Sequence, residues 1–224
     1  MAKAAQPGYR RGNDTRNPQM PDENHPQIYL ISPPDVDLTT FPDTLAGVLD
    51  AVPVACLRLA LATRDEDRMA RSADALREVA HARDVAIVIE THIALADRLG
   101  LDGVHLADGA KSLRYARKIL GPDAIVGAFC GTSRHDGINA AEAGADYVAF
   151  GPVGETSLGT GARASLDLFE WWSEMIEVPV VAEGALTTDI IAQLSTMTDF
   201  IAPGEEIWRV DNPLAALKIL IAAL

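Results

Sequence analysis

The sequence predicts one α/β domain folded as a TIM (β/α)8 barrel. Three observations carry that prediction. The run Gly144-Ala145-Asp146-Tyr147-Val148-Ala149-Phe150-Gly151-Pro152-Val153 reads as a helix end, a buried strand and a Gly-Pro turn. About forty residues earlier, Leu101-Asp102-Gly103-Val104-His105-Leu106 repeats the same grammar. From Ile28 to the end, strand and helix signals alternate, which is the pattern of βαβ units.

The elements follow in order. An apolar strand over 28–32 is closed by Pro33-Pro34, and a weak helix covers 41–50. A second strand, 54–61, contains Arg58. Met69, Ala73, Leu76 and Ala80 fall at helical spacing within 65–83, with charged residues between them. The β-branched run 85–89 is a third strand, and a short helix over 93–100 ends on glycine, a common C-cap. Strand four is 103–107. The helix over 111–120 stops at Gly121-Pro122. Strand five (125–129), a helix (134–144), strand six (147–151) and a helix (166–176) come next. Strand seven is 178–182, followed by a helix over 187–196 with Thr187 or Thr188 as its N-cap. Strand eight is 199–202, and an apolar helix over 213–224 closes the chain. Eight βα units in roughly 197 residues is compact for this barrel. A doubly wound open sheet is the alternative, but it calls for a Gly-rich turn after strand one, where Ser32-Pro33-Pro34 stands.

Residues 1–27 are polar, turn-rich and without period, and read as a disordered tail ahead of a domain over 28–224. The tail's charges nearly cancel, so the acidic balance belongs to the domain. The formal charge of −13 argues against nucleic acid and anionic membranes as partners. No apolar run reaches the roughly 18–20 residues needed to span a bilayer. With no apolar h-region at the N-terminus, a cytoplasmic protein is expected. Cys56 and Cys130 fit a reduced compartment better than a disulfide framework.

Barrel active sites lie where the strands end. The strand ends here offer one cation, Arg58, and many acids: Glu90, Asp108, Glu155, Glu183, Glu205 and Glu206. Arg58 inside an apolar strand needs a partner. It either binds an anion at the mouth or pairs with Glu90 or Glu183. His105 reads as a hydrogen-bonded core histidine. Glu90 and Asp108 are candidates for a metal pair or a general base. Cys130 is a nucleophile only if a base lowers its pKa, and otherwise fills space. The segment from Gly154 to Gly161 reads as a glycine-rich lid. One of Trp171 and Trp172 packs on the barrel, and Trp208 could line the mouth.

The motifs around Leu57-Arg58-Leu59, Asp102-Gly103-Val104-His105-Leu106, Gly144 to Val153, and Pro179-Val180-Val181-Ala182-Glu183-Gly184 resemble the thiamine phosphate synthase superfamily, which also holds the thiazole tautomerases. The resemblance covers nearly all of 28–224. It implies that a hydroxymethylpyrimidine diphosphate loses pyrophosphate to a cation that a thiazole phosphate captures, with Mg²⁺ neutralising the pyrophosphate. Several family positions are changed in this chain. Gln-x-Arg-x-Lys falls on Cys56, Arg58 and Ala60, and only the arginine remains. The two metal-binding aspartates fall on Thr91 and Ala110. Of Thr-x-Thr-Lys, Thr156 remains, while Leu158 and Gly159 replace the rest. Gly-Gly falls on Gly184-Ala185, and the serine after strand eight falls near Glu205. The tautomerase histidine falls on Thr132, with His135 three residues on.

These changes remove carboxylates where Mg²⁺ wants them and place glutamates where phosphate wants bare N–H groups. The expectation is a synthase-like barrel with a diverged site that binds a small molecule at its mouth, its parent activity lost or altered. The alternatives are an active synthase whose ligands come from Glu90, Asp108 or Glu155, and a non-catalytic regulator or scaffold. Candidate catalytic residues are Arg58, Cys130 and His135. Candidate binding residues are Arg58, Glu90, Asp108, Thr132, Thr156, Gly184 and Glu205. A homodimer is compatible with barrels of this kind.

Overall fold

The computed structural model describes residues 25–156 and 161–224. The tail reading over 1–24 and the centre of the lid reading lie outside the described residues. Eight strands pair in parallel and in sequence order, and β1 meets β8 to close the barrel. The strands are β1 (Gln27–Ile31), β2 (Cys56–Leu59), β3 (Ala86–Glu90), β4 (Gly103–Leu106), β5 (Ile125–Phe129), β6 (Tyr147–Phe150), β7 (Val180–Glu183) and β8 (Phe200–Ala202). The helices are α1 (Phe41–Ala51), α2 (Glu66–His81), α3 (Ile93–Leu99), α4 (Leu113–Leu120), α5 (Arg134–Glu142), α6 (Leu166–Met175), α7 (Thr188–Leu194), α8 (Glu205–Trp208) and α9 (Pro213–Ile221). Among the described residues, no helix is long and apolar enough to cross a membrane.

Side chains alternate across each strand, and the two faces have different jobs. Leu57, Leu59, Ile87, Ile89, Val104, Leu106 and Val148 pack outward under the helices in one large apolar layer. Tyr29, Cys56, Val88, Tyr147, Ala149, Val181 and Ala202 fill the barrel interior. Gly127 on β5 makes that interior fit. A Cβ there would lie 1.9 Å from the Tyr147 ring, so only glycine leaves room for the phenol.

The acidic residue that opened each repeat has a structural task. Asp102, Asp146 and Asp199 precede β4, β6 and β8. Each carboxylate accepts a backbone N–H near the start of the preceding strand, from Ile87 (2.7 Å), Val126 (2.6 Å) and Val180 (2.7 Å). Three even strands are thus pinned to their neighbours by charge-assisted hydrogen bonds at the end of the barrel where they enter.

Several helix starts are capped by side chains, the one at Thr187 as its sequence signal indicates. Asp65 caps α2, Ser133 caps α5 and Thr187 caps α7, each accepting a backbone N–H from three residues on. The strand over 54–61 is shorter than expected, since β2 covers only Cys56–Leu59. Four-residue α8 was not foreseen, since one turn is too short for an apolar period. Trp208 at its end donates to the Ile31 carbonyl at 2.6 Å and packs edge-on against Phe41. It therefore fastens α8 to the barrel instead of lining the mouth. Trp172 is the tryptophan that packs on the barrel, against Phe150.

Asp199→Ala would leave the buried Val180 N–H without an acceptor, at a cost of about 1–3 kcal/mol. Asp199→Asn keeps an oxygen in place and should recover most of that loss. Urea unfolding of the two variants checks this, and equal stability of alanine and asparagine would contradict the clamp.

Candidate active site

The interior is apolar at its entrance and polar toward the mouth, and Arg58 marks the change. Its side chain is only 4% exposed. Glu183, at the end of β7, holds it through two hydrogen bonds, Nη1 to Oε2 at 2.7 Å and Nη2 to Oε1 at 3.2 Å. Glu90, at the end of β3, brings Oε1 to 3.4 Å from Nε. Both sequence alternatives for pairing are thus realised together. Burial alone would lower the pKa of the guanidinium, but Glu183, Tyr29 and Glu90 raise it beyond its ordinary value. Arg58 is a permanent interior cation.

The second hydrogen of Nη1 points to Nε2 of His105 at 2.7 Å. Arginine can only donate, so Nε2 carries the lone pair and Nδ1 carries the proton. Nδ1 lies 2.9 Å from the Tyr147 hydroxyl, which therefore accepts. The Tyr147 hydroxyl then donates to that of Tyr29, 2.6 Å away. One chain of donors runs from the mouth to the middle of the barrel: Arg58, His105, Tyr147, Tyr29. Burial, and then the Arg58 charge, hold the His105 pKa well below its ordinary value. Burial also raises both tyrosines. Every member keeps the charge state that its direction of donation requires.

Glu90 is different. Its side chain is 36% exposed, and burial raises its pKa, opposed by Arg58 and assisted by Glu183. It is the carboxylate of this cluster best placed to exchange protons with solvent or ligand.

A cleft of about 840 Å³ opens at the carboxyl ends of the strands. Ser32 and Ala60 form one wall, Pro152, Glu155 and Thr156 a second, and Glu183, Gly184 and Ala185 a third. Gly204, Glu205, Glu206 and Arg209 complete it. Gly184 and Ala185 both have positive φ, +85° and +55°, so the chain turns sharply as it leaves β7. Of the sequence-derived binding residues, Thr156, Gly184 and Glu205 border this cleft. Arg58 lies behind Glu183.

The remaining candidates lie elsewhere. Asp108 is exposed and accepts from Ser112 at 2.7 Å. Thr132 is exposed in the loop before α5, and His135, on the outer face of α5, pairs with Asn139 at 3.1 Å. Cys130 is buried, lies 3.6 Å from the Ala128 carbonyl, and has its thiol pushed up to about 12 by burial and Asp136. That removes it as a nucleophile at neutral pH. The reason is its place in the apolar layer under the helices.

The two family metal positions offer no carboxylate. Ala110 packs against the core, and Thr91 sits at φ +62° in the turn after β3. Glu90 is engaged by Arg58, and Asp108 by Ser112. Among the described residues, no group of three or more acidic, histidine or cysteine side chains is placed to hold a metal. These side chains do not fit a magnesium site of the kind the resemblance implied.

Sequence reasoning missed the donor chain and the role of Glu206. The chain did leave a signal: Tyr29, Arg58, His105, Tyr147 and Glu183 are all polar residues within otherwise apolar strands.

The profile of the thiamine monophosphate synthase family matches residues 28–207. The chain belongs to that family. The thiamine-phosphate synthase of Rhodospirillum centenum is 41% identical over 187 residues, covering 82% of this chain and 89% of that protein. The one from Erythrobacter litoralis is 40% identical over 195 residues, covering 84% and 91%. Among solved structures, the thiamine phosphate pyrophosphorylase of Pyrococcus furiosus superposes with a TM-score of 0.74 at 22% identity, covering 90% of this chain and 98% of that one. It shares the barrel fold.

The relatives overturn the expectation that the parent chemistry was lost or altered. Chains that carry the synthase name are similar to this one along about nine-tenths of their length.

The donor chain predicts a pH effect. The His105 pKa is depressed in the folded state, while the unfolded chain titrates near 6.5. Its contribution is complete above that value. It is lost as pH falls, by about 1.4 kcal/mol per pH unit, because only the unfolded chain takes up the proton. Glu90 has the opposite sign, since its raised pKa weakens the fold as pH rises. Urea midpoints between pH 5 and 6.5 should fall steeply for the native chain and less steeply for His105→Gln. Equal slopes would contradict the assignment.

Proposed function

We propose that this protein is a working thiamine-phosphate synthase that joins a hydroxymethylpyrimidine diphosphate to a thiazole phosphate. The observation that supports this reading most is the likeness to curated synthases over about nine-tenths of their length. The cleft at the barrel mouth supports it further, with volume for two small substrates side by side. A cytoplasmic setting goes with the reading, since both thiols are buried and unpaired.

In the reaction, the bond from the pyrimidine methylene to the diphosphate oxygen breaks, and its electron pair leaves with pyrophosphate. The thiazole nitrogen then gives its lone pair to the methylene carbon, and the product is a thiazolium. The chain must therefore stabilise a transient cation and a departing anion.

Glu183 suits the first task. Arg58 fixes its carboxylate in place at the wall of the cleft, so its charge needs no reorganisation when positive charge develops nearby. The arginines at the rim suit the second. Arg209 pairs with Glu205, and Arg163 lies 3.6 Å from Glu155. Both pairs are exposed, and such pairs are worth only about 0–1 kcal/mol. A diphosphate can take these guanidiniums from their glutamates at little cost.

Incubating the purified chain with both substrates and a magnesium salt should give thiamine phosphate and pyrophosphate in equal amounts by mass spectrometry. Absence of product from folded protein would refute the synthase reading. Arg209→Ala should raise KM for the pyrimidine diphosphate about tenfold, the loss of one charged contact.

A further inference from the structure

The Glu206 carboxylate bridges two loops. Its Oε1 accepts from the Leu186 N–H at 3.0 Å, in the turn between β7 and α7. Its Oε2 accepts from the Gly204 N–H at 2.8 Å, just after β8. Two backbone donors from separate parts of the chain thus converge on one pair of anionic oxygens. Among the described residues, Glu206 has no ion-pair partner, so these amides hold it without help from a cation. The neighbouring charges are the acids Glu183 and Glu205 and the cation Arg209, which is engaged with Glu205.

The carboxylate lies at the edge of the cleft, half-buried, with Gly184, Ala185 and Gly204 beside it. In barrels of this architecture, the loops after strands seven and eight are where phosphate groups bind. A phosphate edge presents the same pair of anionic oxygens to two N–H donors as a carboxylate does.

We propose that Glu206 is an internal competitor for phosphate, occupying through its carboxylate the backbone donors that a substrate phosphate monoester takes when it binds. The part of this inference that names the thiazole phosphate rests on the synthase reading. The competition itself does not, because it concerns only Glu206 and an anion. A phosphate enters by displacing Glu206 from Leu186 and Gly204, and the carboxylate swings toward solvent. The affinity of the site is therefore set below what its N–H groups alone would give, and phosphate can leave again readily.

The test uses the full chain, with inorganic phosphate as the probe, and Glu206→Ala and Glu206→Gln as variants. Phosphate is titrated by calorimetry and by following the Leu186 and Gly204 amide resonances. Glu206→Ala should bind phosphate about tenfold more tightly than the native chain, as expected for removal of one repelling charge within about 4 Å. Both amide signals should move and saturate with it. KM for the thiazole phosphate should fall by a similar factor, while KM for the pyrimidine diphosphate changes much less.

Unchanged or weaker phosphate binding by folded Glu206→Ala overturns the proposal. If that variant does not fold, Glu206→Gln decides. It keeps one acceptor and loses the charge, and it must bind phosphate more tightly than the native chain for the proposal to stand. Tighter phosphate binding without turnover in any form would remove the synthase reading and leave the competition intact. Turnover without tighter binding would do the reverse.

Discussion

A permanently charged guanidinium inside the barrel is the constraint on which the rest of this structure depends. Arg58 has almost no contact with water, so its charge must be met by the protein. Glu183 and Glu90 meet it from β7 and β3, His105 from β4, and Tyr147 and Tyr29 extend the chain through β6 and β1. Six of the eight strands therefore contribute to one connected polar cluster. A slip of one residue in any of them would turn a partner outward and leave a buried charge unmet. Gly127 belongs to the same arrangement, because without its bare backbone the Tyr147 ring would have no place.

The cluster also shapes the mouth. An arginine at the end of a barrel strand would ordinarily read as a binder of anions. Here it is spent on Glu183, and what faces the cleft is a carboxylate of fixed position. The cations left for anionic groups stand at the rim, in weak exposed pairs with Glu205 and Glu155. The site is thus built with negative charge at depth and exchangeable positive charge at the edge. That order matches a reaction in which a cation forms at a carbon while an anion departs.

Much of this was legible in the residues. The alternation of apolar strands with helical spacing placed all eight strands, because both periods are strong and the breaks at Gly and Pro are sharp. The acidic residue before strands four and six was visible as a repeat, though its task as a clamp on the preceding strand was not, nor was the third instance before strand eight. Arg58 announced a partner by standing in an apolar run, but spacing could not tell whether Glu90 or Glu183 would reach it. Helix α8 and the hydrogen bonds of Glu206 left no periodic trace, since one turn and one carboxylate reaching 20 residues back are tertiary facts. The glutamates near strand eight were counted as repulsive charge. One of them is in fact held by two backbone donors, which a count of charges cannot register.

The most direct test of this account is the protonation of His105, read by ¹⁵N NMR on the folded chain between pH 5 and 8. The direction of donation from Arg58 requires a neutral imidazole with its proton on Nδ1 throughout that range. A ring protonated on Nε2, or one that gains a second proton near its ordinary pKa, would contradict it. Either result would mean that Arg58 is not held as described, and the charge pattern of the mouth would have to be drawn again.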